Sequence, residues 1–304
     1  MFEPKRKAKF LIGTIAREIV IAIKLLIFLV ALFFTFHASA QCISCVGNDT
    51  TGTPSVLNPA RKPIPYSYVR EADVMWSKRI WRTIDLREKL NHPIYYPETP
   101  HDGLKSLFDL IKCGLLNGCI TAFDNPAFDD EFKVKMSAEQ VANLLIERDS
   151  IEVEDPNNPG TYIRQQITNE ITSVNIMAYW VKEDWFFDRN RSVMDVRIIG
   201  LCPLTTKTDP TSGEVLGYKP LFWLYFPQLR PLLAKQGVYL GKNYTARISY
   251  DDLFLKRYFS SYIYKESNVY DRPINSYETG IDALLEGEAI KETISNFESD
   301  LWHY

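Results

Sequence analysis

Hydrophobic positions along the chain change period near its middle, and that change predicts the architecture. From Glu71 to Ile84 the pattern is helical: Val74, Trp76, Ser77, Ile80, Trp81 and Ile84 fall on one arc of the wheel, opposite Met75, Lys78, Arg79 and Arg82. A second helix is predicted over Gly103 to Leu116. A third starts at Ser137, where Ser137 and Gln140 form a capping box ahead of Val141, Leu144 and Leu145. The period then becomes two. Val174, Ile176, Ala178 and Trp180 alternate with Met177, Tyr179 and Val181, and a strand apolar on both faces belongs in the middle of a sheet.

Turn residues Asp188 to Arg191 lead to a partner strand over Val193 to Leu201, which makes a hairpin. Lys207 to Gly217 is a second turn region, and Leu221 to Phe226 a third strand, stopped by Pro227. Tyr258 to Tyr264 reads as a fourth strand after a short helix capped by Ser249 or Asp251. A closing helix runs from Gly280 onward, with Ile290, Ile294, Phe297 and Leu301 on its core face. Helices flanking an antiparallel sheet make a single α+β domain, predicted over residues 67–304.

Ahead of that domain the pattern is not that of a folded chain. Residues 41–66 are rich in Gly, Asn, Thr and Pro and predict a flexible linker. Residues 1–40 read as a signal peptide, with a basic start at Lys5 to Lys9, an apolar run from Leu25 to Phe36 and the small-x-small ending Ala38-Ser39-Ala40. The apolar run would reach roughly 18 Å as a helix, short of a hydrocarbon core about 30 Å thick. Cleavage is expected between Ala40 and Gln41. Because Gln41 and not a small residue precedes Cys42, no lipid is expected there.

Charge sharpens this division. The 304 residues carry a net charge of -3. The first forty hold six basic and two acidic residues, so 29 basic and 36 acidic remain and residues 41–304 carry -7. An acidic chain is a poor partner for nucleic acid, which needs a concentrated basic surface.

Candidate chemistry is sparse. No nucleophile elbow, phosphate loop, zinc-protease or dinucleotide motif is present. Carboxylates cluster at Asp129, Asp130 and Glu131 and at Glu183, Asp184 and Asp188. Two of Glu131, Glu183, Asp184 and Asp188 across a cleft could serve an exported carbohydrate-active hydrolase, but a solvated loop at Asp129 to Glu131 and a hairpin opener at Asp188 are the better account of them. A ligand-binding module is a further alternative. Cys42 and Cys45 form a C-x-x-C among Gly, Asn and Thr residues, which points to a local disulfide or a tether to a partner chain. Cys113 and Cys119, separated by two glycines, are a candidate disulfide, and Cys202 reads as a buried small hydrophobe. On the helical reading Trp76 and Trp81 face the core together, which leaves Lys78, Arg79 and Arg82 outward as candidate partner contacts.

Two long segments are distinctive when read whole. One is Val74-Met75-Trp76-Ser77-Lys78-Arg79-Ile80-Trp81-Arg82-Thr83-Ile84-Asp85, continuing through Asn91, Pro93 and Tyr95-Tyr96-Pro97. The other is Lys182-Glu183-Asp184-Trp185-Phe186-Phe187-Asp188 followed by Val196-Arg197-Ile198-Ile199-Gly200. Both closely resemble the gliding motility family GldN, called PorN in non-gliding relatives, and the resemblance covers residues 67–304. It implies a non-enzymatic component of the type IX secretion system of Bacteroidota, in the periplasm under the outer membrane. It also implies a homo-oligomeric ring, a GldK/PorK-like outer-membrane lipoprotein partner and a GldM/PorM-like motor partner. It implies no catalytic residue, cofactor or metal. Cys113 and Cys119 stand outside it.

Overall fold

The computed structural model describes residues 24, 45, 61–101, 103–124, 131–154, 162–208, 215–238 and 248–301, and for 147–154, 162–169 and 208 the backbone alone. The signal peptide apart from Lys24, with Ala40, Gln41, Cys42, Asp129 and Asp130, therefore lies outside the described residues. All that follows concerns the compact unit Cys45–Tyr304. Among the described residues no helix is long and apolar enough to cross a membrane.

The first element corrects the helical reading. After a 3-10 turn over Glu71–Asp73, the chain forms strand β1, Val74–Asp85. Trp76, Ile80, Trp81 and Ile84 fit a strand as well as a helix, because aromatic and β-branched residues favour the pleated surface. What decides the matter is distant. β1 lies between β5 (Ile176–Asp188) and β9 (Tyr262–Glu266), with Ile80 opposite Glu183 on one side and Glu266 on the other. Trp76 and Trp81 consequently do not share a face, since side chains alternate along a strand.

The hairpin joining β5 to β6 (Val193–Thr208) forms where the turn residues predict it. Asp188 Oδ1 accepts the Asn190 N–H at 2.9 Å and closes the turn. β5 begins at Ile176, because Val174 belongs to a 3-10 turn over Ser173–Asn175. β6 runs on past Leu201, and its second half pairs with β7 (Val215–Pro220) and β8 (Trp223–Tyr225). The sheet order is β2-β8-β6-β5-β1-β9, with β2 at Ala122–Phe123 and β7 on the edge of β6; every pairing is antiparallel. A separate two-stranded sheet pairs β3 (Ile146–Glu154) with β4 (Tyr162–Glu170). The α+β class is as expected, with six α-helices among the described residues.

Those helices are α1 (His92–Tyr95), α2 (Leu107–Leu116), α3 (Ala138–Leu144), α4 (Phe226–Leu233), α5 (Tyr250–Leu255) and α6 (Ile281–Asp300). Local caps set several boundaries. Ser106 caps α2 through the Asp109 N–H at 3.1 Å. Ser137 and Gln140 exchange bonds of 3.2 and 2.7 Å at the head of α3. Ser249 rather than Asp251 caps α5. Pro227, expected to stop a strand, sits in the first turn of α4, where its missing N–H costs no helical bond.

One face of the sheet carries Ile84, Val181 and Leu201 against α2, α4 and α5. Further along β1, Ile80 and Ile263 meet Ile290 and Ile294 of α6, and Trp76 stacks on Phe297 at 5.0 Å. α6 comes close at Gly287, where a Cβ would stand 2.8 Å from the Ile263 carbonyl oxygen. The other face gathers Trp81, Ala178, Cys202, Leu204 and Trp223 under Phe132. There Gly200 leaves room for the Phe132 ring, which a Cβ would meet at 2.6 Å.

The cysteines also differ from the sequence reading. Cys113 bonds Cys45, not Cys119, with the Cα atoms 5.5 Å apart, and Cys119 is itself disulfide-bonded. The Cys45 carbonyl accepts from Lys105 Nζ at 2.7 Å and its side chain is fully buried, so a residue far upstream reaches α2. Spacing along the chain favours near partners, whereas the core selects this one. Neither a local bond nor a tether to another chain therefore engages Cys45. Cys202 is free and buried, and burial pushes its thiol pKa up.

Part of the expected linker is docked as well. Arg61 pairs with Asp252, and the carbonyls of Ile64 and Ser67 accept from Arg230 and Arg197, each at 2.6 Å. The Tyr66 ring lies between the two guanidiniums, 4.2 Å from Arg230 and 5.5 Å from Arg197. Replacing both Cys45 and Cys113 by Ser reopens a loop with a sequence separation of 68. Loop-closure entropy puts the loss at about 2–5 kcal/mol, read from urea midpoints of the oxidised wild type and the variant.

Candidate functional site

β1 brings the three candidate contact residues to the sheet, and its alternation sets Arg79 on the face opposite Lys78 and Arg82. Arg82 points with Ile80 and Ile84 toward the helices and is buried. Its Nε donates to Ser261 Oγ at 2.8 Å and its Nη2 to the Ser261 carbonyl at 2.9 Å. Burial lowers its pKa, partly offset by Glu183. Arg82 is thus no surface contact, and the correction follows from the strand: on a helix it would share the outer face with Lys78 and Arg79. Lys78 pairs with Glu266 at 2.6 Å, and Arg79 forks onto Asp184 at 2.6 and 2.9 Å. Both reach the surface beside a cleft of about 430 Å³ lined by Ser77, Trp81, Glu131 and Asp271.

The carboxylates proposed for hydrolysis are not brought together. Glu183 and Asp184 are neighbours on β5 and therefore face opposite sides of the sheet. Glu183 is 0% exposed and held by Arg257 Nη1 and Nη2 at 2.9 and 3.1 Å, with Trp185 Nε1 donating at 3.0 Å. Asp184 has Arg79. Asp188 takes Arg191 Nε at 2.6 Å, and that bond holds its carboxyl below the usual range. Glu131 pairs with Lys133 on the surface.

A general acid for glycoside hydrolysis needs its pKa raised. Asp188 is shifted the other way by its bond to Arg191, and Glu183 and Asp184 are each tied to an arginine and face opposite sides of the sheet. Among the described residues no group of three or more His, Cys, Asp or Glu side chains could hold a metal ion.

A second cleft, about 190 Å³, lies between β6, α4 and α5 and is lined by Tyr66, Val196, Ile198, Phe226, Arg230 and Arg257. Its charges are also matched internally, since Arg230 forks onto Asp251 at 2.8 and 3.1 Å. The sequence reading missed the surface left without such partners. Val269, Tyr270, Tyr277, Ile281, Leu284 and Leu285 are all exposed, in the loop before α6 and in its first turns. The signal was present, because α6 is apolar on two sides at its start, yet only its inward face was read.

Charges paired along both clefts, together with an exposed apolar helix end, are the features of a module that meets other proteins. The chain belongs to the GldN family, described as gliding motility associated protein GldN, whose profile matches residues 69–303. Membership ties it to gliding motility and type IX protein secretion, in a family of secretion components not known as enzymes. No curated protein matches the chain significantly.

Glu183→Gln should lower stability by about 2–4 kcal/mol in urea unfolding, because it leaves Arg257 and Arg82 beside an uncharged amide. The lower part of the usual range applies since the Arg257 side chain is 30% exposed. Asp188 generates a pH dependence. Its folded pKa is depressed, so its contribution is present above the unfolded carboxylate value near pH ~4 and is lost as pH falls through the folded one. Asp188→Asn should therefore be less stable than wild type at neutral pH and lose less on acidification, as thermal melts across that range will read.

Proposed function

We propose that the chain is a structural, non-enzymatic subunit of a type IX secretion apparatus. It acts in the periplasm after cleavage between Ala40 and Gln41, at the inner face of the outer membrane. A GldK/PorK-like lipoprotein holds it there, copies of the chain form a ring with that lipoprotein, and a GldM/PorM-like protein meets the ring from the motor side. The observation that carries this reading is the family match over 69–303, almost the whole of the expected domain. The Cys45–Cys113 disulfide supports the compartment, since such bonds persist outside the reducing cytosol. On β1, Lys78 and Arg79 are the residues we assign to partner contact, both at the surface and both already aligned by Glu266 and Asp184.

The test is purification of the full chain co-expressed with the lipoprotein. Co-elution in one large particle is expected. A monomeric chain, with the lipoprotein eluting alone, would overturn the ring.

A further inference from the structure

Helix α6 has two faces of the same period. Ala283, Gly287, Ile290 and Ile294 recur at spacings of 4, 3 and 4 and are buried against β9. Ile281, Leu285, Glu288 and Glu292 recur at the same spacings on the outward side, and all four are exposed. Ile281 is 75% exposed and Leu285 61%, with Leu284 beside them. Isolated exposed apolar residues are ordinary, but a cluster at one helix end is the mark of a contact surface.

The preceding loop extends that cluster and is itself built. Asn268 Oδ1 accepts the N–H groups of Tyr270 and Arg272 at 3.1 and 3.3 Å, and Ile274 is buried beneath. The Arg272 guanidinium lies 5.0 Å from the Tyr270 ring and 4.8 Å from that of Tyr277. Val269, 97% exposed, precedes this stack. Aromatic and arginine side chains on a fixed framework next to aliphatic anchors resemble the residue set that dominates binding energy at protein interfaces.

Charge specifies the partner. α6 carries Asp282, Glu286, Glu288, Glu292, Glu298 and Asp300 against a single base, Lys291, which bridges to Glu288 at 3.1 Å. Past its two apolar turns the outward stripe is therefore acidic. A helix with anchors at i, i+4 and carboxylates at i+7 and i+11 fits a groove whose floor is apolar and whose far rim is basic. The same face of a second copy is a poor occupant, because two acidic α6 stripes would then face one another.

We propose that the loop 269–277 and the first three turns of α6 form the docking surface for a different protein, one that presents an apolar slot flanked by lysine and arginine. The proposal rests on the reading that this chain works through protein contacts, and it needs neither the ring nor the lipoprotein. Aliphatic anchors supply the affinity, and the Glu288–Glu292 stripe sets direction along the groove. The contact weakens with salt.

Zero-length carbodiimide coupling in intact cells that produce the full chain tests this directly, because it joins a carboxylate only to an amine already in contact. Mass spectrometry should find links from Asp282, Glu286, Glu288 or Glu292 to lysines of another protein. In the Leu284→Asp/Leu285→Asp variant those links should fall at least tenfold although every carboxylate remains. Both leucines are exposed, so thermal melting should match wild type. Links from carboxylates elsewhere in the chain but none from α6 would overturn the proposal. So would links to a second copy, or α6 links indifferent to the leucine changes. If α6 links to a foreign lysine persist while the lipoprotein fails to co-elute, the ring reading falls and the docking surface stands.

Discussion

Ile80 and Trp81 are adjacent on β1 and serve different cores because β1 is held along both edges, by β5 and by β9. That double pairing is the constraint on which the domain depends. It sends Ile80 toward α6, sends Trp81 under Phe132 and places Arg82 near the buried Glu183. Both partners are far downstream in sequence, so β1 gains its conformation only when the 90 residues between it and β5 have been brought round. A strand in this position cannot slip. Moving it by one residue would carry Ile80 to the Trp81 face and drive Arg79 onto the face that packs against α6.

The charged pairs reinforce that register. Arg79 stands directly opposite Asp184, and the two join through a bidentate fork, while Lys78 reaches Glu266 on the other edge. Exposed pairs of this kind add little stability. A slipped sheet would separate their ends, however, so their effect is on which pairing forms. Glu183 is the costly member. A fully buried carboxylate is tolerated only because Arg257 and Trp185 satisfy it, and the same bonds remove it from chemistry. The side chains that looked most like an acid–base pair are those that fix the sheet.

What the sequence made legible was local. Ser137 with Gln140, Ser249 at the head of α5 and Asp188 at the hairpin turn act on groups within three residues of themselves, and each does so in the structure. What it hid was set at a distance. Trp76, Ile80 and Ile84 satisfy both a helical and an alternating pattern, and only β5 and β9 choose between them. Cys113 has a near candidate in Cys119 and a true partner in Cys45, which the core brings to α2. Family resemblance succeeded where periodicity failed at β1, because a long irregular string identifies relatives whatever secondary structure it adopts.

The sheet order also separates the surface on which residues 61–67 pack from the one that carries α6. Residues 61–67 lie along β6, α4 and α5, whereas α6 lies on β9. β5 and β1 stand between, so β6 and β9 are three strand spacings apart, about 14 Å. A protein seated on α6 therefore does not compete with Tyr66 for Arg197 and Arg230. Rigid strands connect the two sites, and the disulfide at Cys45 fixes the chain upstream of the first. Tension applied through the N-terminal segment would pass into α2 and the sheet before it reached α6.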